Sequence, residues 1–286
     1  MMKKIFPCIY FMLTGLNSMG QSCSLQQEAV NAVSPSGKTT TRLNIYVITK
    51  DEKFELLPFT VKMRAFIKSV FHRKRMRVVV ASKADFAATK ICKLLTRHHA
   101  LIGNIWFDSH GKYKNGFSSF SIGVDNFNYT NINDTSYIVS LTKIAAFADI
   151  ETKIGIGSCY GGATFTHPGF SKPMYGDSLM IGMGKIFSGS VIYASESWVM
   201  MKPGIFSDNF GFAGYPLGKR YRKLSWKPVW DHLGEWHSYS TGSGNIKNVN
   251  TVALSGTGEI KVRERNYLSL GKAIRKQYRA LASLQP

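Results

Sequence analysis

The sequence predicts an α/β fold with a mostly parallel central sheet flanked by helices on both faces. Three observations carry this. Short β-branched runs alternate with amphipathic stretches, as in successive strand–helix units. Several runs (102–107, 153–156 and 190–194) are apolar almost throughout, which suits strands covered on both sides. Two of them end abruptly in small residues around one reactive side chain, where open parallel sheets place their ligand crevices.

The first strand is 43–49, and Val61, Ala65, Ile67, Val70 and Phe71 then recur close enough to helical spacing to mark the helix after it. A second strand follows at 77–82. Across 84–97, Phe86, Ile91, Leu94 and Leu95 share one helical face while Lys90, Lys93 and Arg97 lie elsewhere, so this helix packs back on the sheet. The third strand is 102–107. Residues 116–133, rich in aromatics and Asn, read as a hairpin or irregular insertion. Residues 137–147 form the helix leading to the fourth strand, 153–156, and 178–187 the helix leading to the fifth, 190–194. Past Pro203 the pattern weakens into Gly-rich aromatic loops, and 268–284 closes the chain as a basic amphipathic helix.

Of 286 residues, 44% are hydrophobic and 13% aromatic, which is enough for a packed interior and excludes a disordered chain. Lys3 and Lys4, the apolar run 5–16, and the small residues Ser18 and Gly20 have the layout of a secretory signal over 1–20, so a secreted, extracellular or periplasmic protein is expected. Pro7 and Gly15 interrupt that run, and no later segment approaches the roughly 18 apolar residues of a transmembrane helix. No integral membrane span is expected. Lipid attachment at Cys23 is the rival reading, although Met19-Gly20-Gln21-Ser22 fits a lipobox poorly. Residues 21–42 are a polar leader or propeptide with Lys38 and Arg42 as accessible processing points, 43–202 the core, and 203–286 a basic extension packed on it.

The formal charge is +20, concentrated in 72–77 and in the tail from Lys219 to Arg279. It favours acidic partners, so an anionic ligand or surface is expected at the basic C-terminal region. Cleavage at Gly20 leaves Cys23, Cys92 and Cys159, an odd number, so one thiol stays unpaired.

Chemistry concentrates in Ile105-Trp106-Phe107-Asp108-Ser109-His110-Gly111 and Ile154-Gly155-Ile156-Gly157-Ser158-Cys159-Tyr160-Gly161-Gly162. Neighbouring strands ending in these segments present His110 and Cys159 to one cleft. The flanking glycines let the backbone turn sharply and let a carbonyl approach main-chain amides. His98-His99, His167, His232 and His237 have no zinc-site spacing, so no metal or other cofactor is expected.

An apolar strand ending in His-Gly, followed 49 residues after the His by a cysteine at the end of a second such strand, resembles the clan CD cysteine peptidases, which include caspases, legumains, gingipains and clostripain. Gly161-Gly162, Gly176-Asp177-Ser178 and the strand Ser190 to Ser195 resemble the bacterial branch with self-processing and CHAT-type domains. The resemblance covers roughly 43–200 and implies a caspase-haemoglobinase-like fold, Cys159 as nucleophile, His110 as general acid, and the N–H groups of Gly111 and Cys159 as oxyanion donors. It further implies a peptide or protein substrate. Tyr160-Gly161-Gly162 departs from the caspase pentapeptide, so aspartate specificity does not carry over.

In this family the loop after the fifth strand lines the substrate pocket, and here it reads Ala194-Ser195-Glu196-Ser197-Trp198. Glu196 suits a basic P1 residue, with Ser195 beside it and Asp108 and Asp177 as rival acidic wall residues. A solvated or helix-capping carboxylate is the plainer role for any of the three acids. Two functions follow: a secreted cysteine endopeptidase, or a non-catalytic binding module on the same fold that holds an acidic polymer or membrane.

Overall fold

A computed structural model of the protein describes residues 41–50, 59–111, 118–166, 172–196, 199–201, 209–213, 235–249 and 252–262. The expected signal segment, the leader through residue 40 with Cys23 and Lys38, His167, His232, Ser197, Trp198 and the C-terminal helix lie outside them. Among the described residues no helix is long and apolar enough to cross a membrane.

The chain is α/β with a seven-stranded, mostly parallel central sheet. Strand β1 (Thr41–Thr49) lies between β2 (Met76–Ala81) and β3 (Ala100–Asp108), and β6 (Lys153–Ile156) and β7 (Val191–Ser195) continue the sheet beyond β3, all parallel. Two later strands, β10 (Trp236–Ser240) and β11 (Ile246–Val249), add antiparallel rungs to β7. The stretch from 203 to the C-terminal helix was expected as loops. It instead supplies these two strands and most of a second, four-stranded sheet.

Period-two alternation sorts side chains to the two faces of β1. Leu43, Ile45 and Val47 enter one core, together with Ala87, Ile91 and Leu95 of helix α2 (Ala84–His98), Leu141 and Ile144 of α3 (Val139–Ala145), and Leu179, Met180 and Met183 of α4 (Gly176–Ile186). Tyr46 and Ile48 enter a second core with Ala65 of helix α1 (Phe59–Phe71), Trp106 and Trp236. That face is completed by Val252 and Leu254 of β12 (Val252–Ser255) and Ile260 of β13 (Ile260–Val262). Helices therefore cover both faces, with the second sheet sharing one of them.

Two asparagines stitch this second sheet to the first. The Asn44 amide donates to Thr257 O at 2.8 Å and the Asn104 amide to Asn44 Oδ1 at 2.8 Å, while Ile260 N–H donates to Asn104 Oδ1 at 2.9 Å. Satisfied polar groups at this depth fix the register of the β12–β13 hairpin, because any slip would strand them. Arg42, expected to be accessible for processing, is instead held by Asp149 through two hydrogen bonds of 2.9 and 2.6 Å. The fold draws it in because a guanidinium fork fits a carboxylate two bonds at a time.

The segment after β3 forms the expected hairpin, β4 (Ser119–Ile122) paired with β5 (Asp125–Asn128). Its buried residues, Phe120 and Phe127, stack with centroids 5.1 Å apart, and Phe120 packs on Phe107 at 5.2 Å. The hairpin is thereby anchored beneath the carboxyl end of β3.

Candidate active site

β3 and β6 run side by side in register, with Phe107 opposite Ile156. The ladder continues one step further, where Gly157 N–H donates to Phe107 O at 2.7 Å. His110 and Cys159 each lie three residues beyond that register pair, so parallel geometry delivers them to the same edge of the sheet. Their loops touch at the backbone: a Cβ placed on Gly111 would lie 1.9 Å from Cys159 O and 3.3 Å from Cys159 N. Only glycine permits that approach. His110 is exposed, and Cys159 is partly exposed and packs against the buried Tyr160, Ala163 and Met174.

The residue before each reactive side chain is pinned to one strand. Ser158 Oγ donates to Ser119 O at 2.6 Å, and Ser121 N–H donates to Ser109 Oγ at 2.9 Å. Both acceptor and donor belong to β4, which backs the site. Tyr160, next after Cys159, is fully buried and holds a left-handed φ of 60°. A bulky residue rarely adopts that conformation, so packing imposes the sharp turn at which the sulfur sits.

Electrostatics hold that sulfur as a thiol at rest. Dense packing pushes the Cys159 pKa up to about 11, and the nearby Asp108 carboxylate opposes ionisation further. The Val199 N–H, 3.4 Å from Sγ, acts the other way. Val199 begins β8 (Val199–Met201), an edge strand of the second sheet, which continues through β9 (Asn209–Ala213) to β12 and β13. Asp108 is itself buried on the face it shares with Tyr46, whose hydroxyl donates to Oδ2. Burial raises its pKa to about 7 despite that bond.

The turn from Cys159 to Ala163 is the point where the remaining site residues meet. Gly162 N–H donates to Ser195 O at 2.8 Å, and Gly176 N–H donates to Ala163 O at 2.8 Å. Ser195 is buried and its Oγ donates to Glu235 O at 3.4 Å, toward β10. Glu196 is also buried, with Oε1 3.1 Å from Nε2 of the buried His237. The other nitrogen, Nδ1, lies 3.0 Å from Gly162 O. A carbonyl only accepts, so Nδ1 is the nitrogen that donates to Gly162 O, which turns Nε2 toward Glu196. Asp177 sits in the first turn of α4, where its Oδ1 accepts from Ser178 N–H at 2.7 Å.

The structure thus gathers His110, Gly111 and Cys159, sets Asp108 beneath them, and joins Ser195 and Glu196 to the Cys159 turn through Gly162. Asp177 is tied to that turn only through its neighbour Gly176. Sequence reasoning missed Ser109, Ser158, Tyr46, Val199 and the role of His237. A shared serine before each reactive residue was the one available signal; His237 lies on a strand whose pattern was too weak to read. Among the described residues no cluster of three or more His, Cys, Asp or Glu could hold a metal.

Comparison with family models, curated proteins and solved structures finds no match.

Proposed function

We propose that the chain is a secreted, caspase-like cysteine endopeptidase acting through Cys159 and His110. The observation that carries this reading is the backbone contact of Gly111 with Cys159, which ties the two loops together at one open sheet edge. When a peptide binds, the thiol proton passes to the imidazole and the sulfur forms a bond to the substrate carbonyl carbon. The Gly111 and Cys159 amides stabilise the resulting oxyanion. Collapse breaks the C–N bond, His110 protonates the leaving amine, and a thioester remains. Water then adds to the thioester, expelling the thiol and releasing the carboxylic acid.

Glu196 is buried with Oε1 turned to His237 Nε2 at 3.1 Å, which argues against it as an open seat for a basic P1 residue. The thiol raised to about 11 favours the second reading, a binding module without catalysis. Electrophilic peptide probes bearing Arg, Lys, Asn, Asp or Leu at P1 separate the two. The peptidase reading expects peptide-dependent labelling of Cys159 that is lost in Cys159→Ala and at least a hundredfold slower in His110→Ala. Labelling that ignores the peptide portion and survives His110→Ala at the wild-type rate refutes it.

A further inference from the structure

The edge of the sheet opposite the site carries a feature that the peptidase reading leaves unused. Helix α1 has Ala65 against the core, while Met63, Phe66 and Val70 fall along its other face at 41%, 46% and 70% exposure. Phe71, at 72%, extends the stripe to the helix end. The spacing i, i+3, i+7 puts the first three on one line of the helix surface. A solvated helix seldom shows four large apolar residues together.

This stripe runs directly into the basic run His72-Arg73-Lys74-Arg75-Met76-Arg77, where Met76 is buried and Arg73, Lys74 and Arg75 are exposed. The fold brings a second basic segment to the same edge. Helix α2 ends at His98, and His99 caps it in the left-handed conformation at φ 45°, leaving Arg97, His98 and His99 exposed just before β3. Arg77 Nη2 approaches His98 Nε2 at 3.4 Å, so the two segments meet. Burial, and secondarily the neighbouring Arg73, pull the Arg77 pKa below the ordinary guanidinium value. At this end of the strands Asp149 and Glu151 are engaged by Arg42, and Glu259, beside the Gly258 that packs on Met76, by Lys261. Among the described residues no ion pair joins Arg73, Lys74, Arg75, Arg77 or Arg97 to a carboxylate.

We propose that this edge, the apolar stripe of α1 with the cations Arg73, Lys74, Arg75, Arg77 and Arg97, docks on an anionic lipid bilayer surface. Apolar side chains beside cations that have no carboxylate partner among the described residues match such an interface in both respects: the rings and branches enter the headgroup boundary while the cations meet the lipid phosphates and carboxylates. A nucleic acid or sulfated glycan would use the cations and leave the stripe in water, which makes it the poorer fit. Strand polarity adds a consistency. β2 and β3 begin at this edge and β3 and β6 end at the other, so a docked molecule keeps Cys159 turned away from the membrane.

The test is co-sedimentation of the full chain with phosphatidylcholine vesicles with and without about 30% phosphatidylserine, which gives the vesicle a negative surface potential. Binding is expected only with the anionic lipid. Phe66→Ser, Val70→Ser and Phe71→Ser combined should lower partitioning at least tenfold, and Arg73→Gln, Lys74→Gln and Arg75→Gln combined about a hundredfold. Because all six positions are exposed, unchanged circular dichroism and melting are expected in both variants. Phe71→Trp should gain fluorescence quenching by brominated lipid. The proposal is overturned if the serine variant binds like wild type, if neutral vesicles bind equally well, or if heparin or duplex DNA competes fully while Phe71→Trp stays unquenched.

Discussion

Replacing Gly111 with Ala probes the contact on which the site depends. The new Cβ would lie 1.9 Å from the Cys159 carbonyl oxygen, whereas ordinary contact begins at 3.4 Å. The two turns must therefore part by about 1.5 Å, or one must rotate. Overpacking of this kind costs about 1–3 kcal/mol. In a chain of this length that lowers Tm by roughly 2–10 °C. A displacement of about 1 Å between reacting groups costs about a hundredfold in rate, so labelling of Cys159 by its best peptide probe should slow by at least that factor. Gly242→Ala is the control, since its nearest neighbour would be Ser240 Oγ at 3.8 Å. Scanning calorimetry and the second-order labelling rate should separate Gly111→Ala from both wild type and the control. Identical melting and labelling in all three proteins would refute the contact and the spatial argument built on it.

Four further outcomes are expected. Asp108 has a folded-state pKa of about 7, raised from 3.8, so its contribution to stability is complete below 3.8 and lost as pH rises through 7. Urea unfolding at pH 4 and pH 8 should show a fall on the order of 4 kcal/mol that Asp108→Asn largely removes; parallel pH curves for the two proteins would contradict it. With the thiol at about 11, on the order of one Cys159 in ten thousand is thiolate at pH 7, so iodoacetamide alkylation should keep accelerating to pH 10. Asp108→Asn should speed it above pH 7 and leave it unchanged at pH 5, and a rate plateau below pH 8 would count against this. His237→Leu removes the imidazole from its buried contacts with Glu196 and Gly162 O and should cost about 1–3 kcal/mol in chemical denaturation, whereas unchanged stability would contradict it. Gly155→Ala drives a Cβ to 2.2 Å from the Trp106 ring, so a double-mutant cycle with Trp106→Phe should show the second change relieving the first; additive losses would place the indole elsewhere.

The five parallel strands were legible because buried strands of β-branched residues leave an unbroken apolar run, and each is followed or preceded by a helix with its own period. His110 and Cys159 were legible for the same reason: each interrupts such a run at its carboxyl end. Strands β8 to β13 were not. They are three to five residues long, and β11 carries Lys247 and Asn248, both exposed, so no alternation accumulates. Their partners are set by sheet pairing far along the chain, which leaves no local trace of Glu196 meeting His237. The flanking glycines answer to packing within the chain itself. Gly111 does allow a close backbone approach, but Gly155 and Gly157 are small because the Trp106 indole lies across them, at 2.2 and 2.3 Å from where a Cβ would stand. Burying that ring is worth about 3 kcal/mol, reason enough for two glycines with no chemical duty.

Strand β4 acts on the two reactive loops as a common jig. With Ser109 and Ser158 fastened to its main chain, a tilt or slide of the β4–β5 hairpin carries the imidazole and the sulfur along together and leaves the gap between them nearly constant. Fluctuations of that hairpin therefore change where the two loops stand on the sheet far more than how they stand to each other.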